Sequence, residues 1–159
     1  MIVALPLAIA PGEEGVTLEG TTALPLAVRP LRVLLAEDED ISNFAMGVML
    51  KRLGHRVVSV SNGQEALHEL ESAHFDVVLM DIQMPVLDGV EATRRIRAMT
   101  GSRARVHIVA LTAYAMEGDR EKFLSADMDD YVTKPVSQED LMRALERAAL
   151  LLDKNSPVQ

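Results

Sequence analysis

The chain has 159 residues, 48% hydrophobic and 25% charged, the balance of one soluble globular domain with a sizeable core. A formal charge of −8 argues against a nucleic-acid surface, which needs clustered Lys and Arg, and the lack of cysteine excludes disulfides, zinc–thiolate sites and Cys nucleophiles. The apolar start MIVALPLAIA is too short to span a bilayer and lacks the basic residues of a signal peptide, so no membrane contact is expected and the composition suits the cytoplasm.

Residues 1–30 are broken by Pro6, Pro11, Gly12, Gly15, Gly20, Pro25 and Pro30 and are read as a partly extended linker. Regularity begins at Leu31. Arg32 to Ala36 is a buried strand that runs into the acidic stretch Glu37-Asp38-Glu39-Asp40. Asp40 or a neighbour can cap a helix to about Leu53, with Ile41, Phe44, Val48 and Leu53 near one face and Gly54 as its stop. Arg56 to Val60 is a second strand. Ser61-Asn62-Gly63 turns into a helix from Gln64 to about Ser72.

Phe75 to Asp81 is a near-continuous apolar run, as expected for a strand covered on both faces, and it ends on an acid. A third helix is predicted from Val86 to about Met99, with Val90, Ile96 and Met99 as core positions. Val106 to Leu111 is a fourth strand, ending at Thr112. A fourth helix is expected over Met116–Ala126. Asp130 to Thr133 is a short fifth strand ending at Lys134-Pro135. Ser137 caps a last helix to about Leu152, with Leu141, Leu145, Ala148 and Leu152 on one stripe. Residues 153–159 are a tail.

Five strands alternating with five helices imply a single doubly wound α/β sheet, parallel throughout, with right-handed crossovers. Glu37, Asp38, Asp81, Thr112 and Lys134 then share one edge, the carboxyl ends of the strands, where such sheets hold their ligands. Three carboxylates need a counter-ion, and oxygen-only ligands suit Mg²⁺. The acidic run alone also fits a solvated helix start, but a further acid at an adjacent strand end favours the metal. A carboxylate beside a metal, an ammonium and a hydroxyl can accept a phosphoryl group, so Asp81 is the candidate nucleophile and Lys134 and Thr112 the candidate phosphoryl contacts.

The phrases LLAED, VVLMDIQMPVLDG, IVALTA and DDYVTKP, in this order and spacing, resemble the response-regulator receiver domain, the phosphoacceptor module of two-component signalling. The resemblance covers residues 31–152. It implies a flavodoxin-like sheet of order 2-1-3-4-5, with phosphorylation on Asp81. Mg²⁺ would be held by Asp38, Asp81 and the backbone carbonyl of Gln83, helped by Glu37 through water. Thr112 and Tyr131 would be the switch pair, and a cis peptide would precede Pro135. Two positions depart from the family's pattern: Glu37 stands where Asp is usual, and Asp127 replaces a Gly that commonly takes positive φ.

EDEDISN, MDIQMPVLDGVEATRRIR and KPVSQEDL resemble receivers of hybrid sensor histidine kinases, and MIVALPLAIA resembles the last strand of a kinase ATP-binding domain. No kinase motif stands in the chain itself, and the little sequence after the last helix leaves no room for a DNA-binding output domain, so the chain is expected to be either a stand-alone regulator or, as favoured here, a fragment of a longer hybrid kinase that would carry the kinase activity. The expected partner is a phosphohistidine-bearing kinase or phosphotransfer domain. It would dock on Ile41, Asn43, Phe44 and Pro135, and the chain would be a monomer or weak dimer. Gln83 and Tyr114 flank the site and are expected to influence the lifetime of the phosphoryl group. Competing readings are a degenerate receiver acting as a protein-binding module and an aspartate-nucleophile phosphatase. The phosphatase class resembles Asp-x-Asp, and Gln83 occupies its second acid position. A mononucleotide fold would need a Gly-rich loop where EDED stands.

Overall fold

The computed structural model describes residues 29–113, 121 and 123–155; the linker up to residue 28, Tyr114, most of the expected helix over 116–126 and the end of the tail lie outside the described residues. In chain order the elements are β1 (Arg32–Ala36), α1 (Asp40–Arg52), β2 (Arg56–Val60), α2 (Gly63–Ser72), β3 (Val77–Asp81) and α3 (Gly89–Arg97). They continue with a 3₁₀ turn (Ser102–Arg105), β4 (His107–Thr112), α4 (described at 121 and 123–125), β5 (Asp130–Thr133) and α5 (Gln138–Asn155). The strands form one five-stranded sheet of order β2-β1-β3-β4-β5, and every described pair is parallel.

The alternation of side chains along each strand builds two cores. Leu34, Val78, Met80, Ile108 and Ala110 face Leu67 and Leu70 of α2 and Ile96 of α3. Val33, Leu35, Val77, Leu79, Val109 and Leu111 face Met46 and Leu50 of α1 and Leu141, Leu145 and Ala148 of α5. All five residues of β3 are buried, which explains why its sequence is apolar without alternation. Each fully buried Leu is worth roughly 1.5–3 kcal/mol relative to exposure.

The helix starts are fixed by side-chain caps. The Glu39 carboxylate accepts from the Ser42 N–H at 3.1 Å, Asn62 from Glu65 at 2.9 Å, Asp88 from Glu91 at 2.8 Å and Ser137 from Asp140 at 3.0 Å.

The third helix begins later than the sequence pattern predicts. Asp88 takes the cap, and Val86 lies ahead of it at φ +69, a left-handed conformation that a β-branched residue in a helix does not adopt. The expected stripe on α1 is also different. Met46, Gly47 and Leu50 are buried and Leu53 packs partly against the core, whereas Ile41 and Phe44 are 77% and 75% exposed. The helix carries two apolar stripes. The one formed by Met46 and Leu50 joins the core of Val33 and Leu35, and it is the buried one.

Asp127 does take positive φ, at +67, in the turn after α4. Arg97 braces that turn. Its guanidinium donates to the carbonyls of Asp127 (2.9 Å), Ala104 (2.9 Å) and Val106 (2.7 Å) and to the Asp129 carboxylate (2.8 Å).

Candidate functional site

The ladder of hydrogen bonds runs past the strand ends at the carboxyl edge. Glu37 N–H donates to Val60 O (3.1 Å), Ile82 N–H to Leu111 O (3.1 Å) and Lys134 N–H to Thr112 O (2.7 Å). The residues of interest are therefore held on extended, paired backbone. The Lys134–Pro135 peptide is cis. Gly89 sits directly against Asp81, where a Cβ would lie 2.2 Å from the Asp81 carbonyl oxygen. The Asp88-Gly89 pair in the sequence signals this turn, but not the closeness of that approach.

Glu37 and Asp81 are buried, at 1% and 4% exposure, while Asp38 is exposed. The Lys134 ammonium stands between the two buried carboxylates, 3.0 Å from Asp81 Oδ2 and 2.8 Å from Glu37 Oε2. The Asp81 contact is a hydrogen bond; the Glu37 contact is a close ion pair without hydrogen-bond alignment. Glu37 Oε1 accepts the Glu39 N–H at 3.0 Å, and Asp81 Oδ1 accepts the Gln83 N–H at 3.2 Å. The Gln83 peptide thus lies beside the Asp81 carboxylate.

Burial, and then the adjacent Glu37 carboxyl, push the Asp81 pKa up to about 6, against the pull of Lys134. Burial also raises Glu37, but Lys134 and the Glu39 N–H outweigh it and hold that carboxyl below the usual range. Burial works against the charge on Lys134, yet its two carboxylate partners raise its pKa. The two acids share one environment and titrate as a pair, with the proton favoured on Asp81.

The other sequence-predicted residues fall around this centre. Thr112 is buried at the end of β4, in register with Thr133 beside Lys134. Tyr131 is half-buried on β5, its ring 6.3 Å from that of Phe123. Ile41, Phe44 and Pro135 are exposed. Asn43 is half-buried, and its amide is committed to the carbonyls of Glu37 (2.8 Å) and Val60 (3.2 Å), where it clamps the start of α1 to the site. Sequence reasoning gave no sign of that clamp.

One carboxylate oxygen each from Glu37, Asp38 and Asp81 can be chosen so that all lie within 4.8 Å of one another. An all-oxygen donor set, two of its members buried and one with its proton affinity raised by burial and then by its neighbour, fits a small hard cation such as Mg²⁺.

A doubly wound parallel sheet with an acidic cluster and a lysine at its carboxyl edge places the chain among the α/β domains that hold their ligands at that edge. Residues 33–146 match the model of the response regulator receiver domain, and the chain belongs to that family. It is 40% identical over 123 residues to the sensor protein GacS of Pseudomonas syringae pv. syringae, covering 76% of this chain and 14% of that protein. The chain thus spans a small part of the length of such sensor-kinase relatives. The receiver domain of sensor histidine kinase PA1611 from Pseudomonas aeruginosa PAO1, crystallised with magnesium in its active-site cleft, superposes with a TM-score of 0.70 at 44% identity. That match covers 76% of this chain and 98% of that one. The co-crystal structure of the Saccharomyces cerevisiae histidine phosphotransfer protein Ypd1 with the receiver domain of Ssk1 matches with a TM-score of 0.72 at 31% identity, over 79% of this chain and 92% of that one.

Proposed function

We propose that Asp81 accepts a phosphoryl group from a phosphohistidine, and that this chain is the receiver of a hybrid sensor histidine kinase. The observation that carries the reading is the Lys134 ammonium set between Asp81 and Glu37 at 3.0 and 2.8 Å. It fixes a positive charge where the equatorial oxygens of a transferred phosphoryl would lie. In the step, an Asp81 oxygen forms the new P–O bond, the P–N bond to the donor imidazole breaks, and the imidazole nitrogen keeps the electron pair and takes a proton from solvent.

Glu37, Asp38, Asp81 and the Gln83 carbonyl would hold Mg²⁺. When bound, the ion supplies the charge that keeps these carboxylates ionised and offsets that of the phosphoryl oxygens. Gln83 N–H, already on Asp81, holds the carboxylate's orientation. Thr112, at the end of β4, would bond a phosphoryl oxygen, and Tyr131 would turn inward as Thr112 moves. The exposed Ile41 and Phe44, with Pro135, offer an apolar surface beside the site to a phosphotransfer partner. A donor charged from ATP suits an exchange in the cytoplasm.

The test is incubation with acetyl phosphate and Mg²⁺, read as intact mass, beside Asp81→Asn. A gain of one phosphoryl group that is lost in the variant and lost with chelator is expected. No gain, together with no binding of beryllofluoride, would replace the reading with that of a protein-binding module.

A further inference from the structure

The opposite edge of the sheet, where the strands begin, has the reverse electrostatic character. Arg32 of β1 and Arg56 of β2 are neighbours in register, and both are exposed. Like charges paired across strands are unfavourable. Lys51 and Arg52 end α1 at the same edge, and Arg103 and Arg105 flank the approach to β4. Between β2 and β4 the edge spans three strand spacings, about 14 Å. Of these cations, Lys51, Arg52, Arg56, Arg103 and Arg105 have no side-chain partner among the described residues, and the Arg32 guanidinium lies 5.4 Å over the Phe75 ring. Helix ends favour basic residues by themselves, which accounts for Lys51 and Arg52. It does not account for Arg56, Arg103 and Arg105.

A surface cavity of about 370 Å³ opens at this edge, with Phe75 and Val106 buried in its wall and Arg103, Arg105 and Leu152 around it. Of its two acids, Asp76 is taken by the Arg32 N–H at 2.8 Å and by His74, so Glu71 alone opposes the arginines. The chain enters beside the cavity, since Arg29 pairs with Asp153, the residue after Leu152, at 3.5 Å.

The sequence preceding Arg29 contains Glu13, Glu14 and Glu19 and neither Lys nor Arg. The acids bracket Val16 and Leu18, so one short stretch offers carboxylates to the arginines and apolar side chains to the apolar wall of the cavity. The run of about ten residues from Glu19 to Arg29 reaches about 33 Å when extended, more than twice the width of the charged edge. Tethering keeps the local concentration of this segment high at no cost in encounter.

We infer that the segment Glu13–Glu19 seats in this cavity. Its glutamates pair with Arg103, Arg105 and Arg56, and Val16 and Leu18 pack on Leu152 and close over the wall that Phe75 and Val106 form. The contact fixes how the domain hangs from whatever precedes it, with the Asp81 edge facing away. It is independent of phosphorylation and of the reading of Asp81.

The experiment uses the full chain, whose lack of cysteine permits a single spin label at Thr17→Cys. In low salt, amide signals of residues 102–106 are expected to lose intensity relative to the reduced label. The loss should fade as NaCl shortens the screening length to about 3 Å at 1 M. It should vanish in Glu13→Gln/Glu14→Gln/Glu19→Gln, which leaves the folded domain untouched, and in Arg103→Glu/Arg105→Glu. No loss at low salt, or loss indifferent to both sets of substitutions, overturns the inference. So does broadening of a label-free ¹⁵N chain mixed with a labelled unenriched one, which assigns the cavity to a second copy. Amide shifts at this edge on adding phosphatidylserine vesicles, without label contact, would overturn it in favour of a membrane surface.

Discussion

Replacing Asp81 by Asn should stabilise the metal-free protein, and the gain should depend on pH. Burial and the Glu37 carboxyl raise Asp81 from an ordinary 3.8 to about 6. A folded-state value above the unfolded one means that folding favours the protonated acid. The associated stability is complete below pH 3.8 and is lost as pH rises through about 6. At pH 8 the ionised carboxylate therefore costs up to about 3 kcal/mol relative to the protonated form. Asn is neutral throughout and nearly the same size. With EDTA present, Asp81→Asn should be more stable than the parent by about 2–3 kcal/mol at pH 8, the difference shrinking towards zero near pH 4. Glu37 has a lowered value and contributes in the opposite sense; Lys134 and the Glu39 N–H, which outweigh its burial, remain in both proteins. Urea unfolding at pH 4.5, 6 and 8 measures the difference as a shift in midpoint at unchanged slope. Adding Mg²⁺ at pH 8 should then stabilise the parent more than the variant, because the variant lacks one of the three carboxylates. Equal stabilities at pH 8, or a gain that does not change with pH, would refute the burial argument.

Further substitutions probe the frame. Gly89→Ala would drive a Cβ to 2.2 Å from the Asp81 carbonyl, and a loss of about 3 kcal/mol in urea, together with a fall in acetyl-phosphate labelling, is expected. Arg97→Ala removes the donor from three carbonyls and the Asp129 carboxylate and should cost about 3 kcal/mol in urea. Asp127→Gly relieves a φ of +67. It should raise stability by about 0.5–1 kcal/mol, seen as a higher thermal midpoint.

The sheet and the edge that carries the candidate site were legible because strand interiors and strand ends carry separate signals. An apolar run such as VVLMD marks burial on both faces and then the exit from it, so Asp81, Thr112 and Lys134 could be assigned to one edge by periodicity alone. Their order across the sheet needed the family resemblance. The α1 stripe differs from expectation for a physical reason: Ile41 and Phe44 keep helical spacing with Val48 as well as Met46 does with Leu50, and only the packed sheet decides which stripe is covered. The start of α3 is displaced because a left-handed Val86 leaves no trace in composition. The Asn43 clamp and the Gly89 contact join groups that sequence spacing does not pair, and their cause lies in backbone groups that every residue shares.

The backbone bonds that continue past β1, β3 and β5 have an implication for engineering. Each anchors a candidate site residue, or in Ile82 the residue after one, to the neighbouring strand through atoms that do not depend on side-chain identity. The exposed face of α1 has no such ties at Ile41 and Phe44, which project 77% and 75% exposed from a helix already held by Met46 and Leu50. Asn43, which lies between them, ties α1 to the Glu37 and Val60 carbonyls, so the helix is held to the acid cluster through position 43 and not through the side chains at 41 and 44. On the proposed docking surface, a library randomised at positions 41 and 44 with Asn43 kept would select new phosphodonors while the acid cluster and its lysine stay in place.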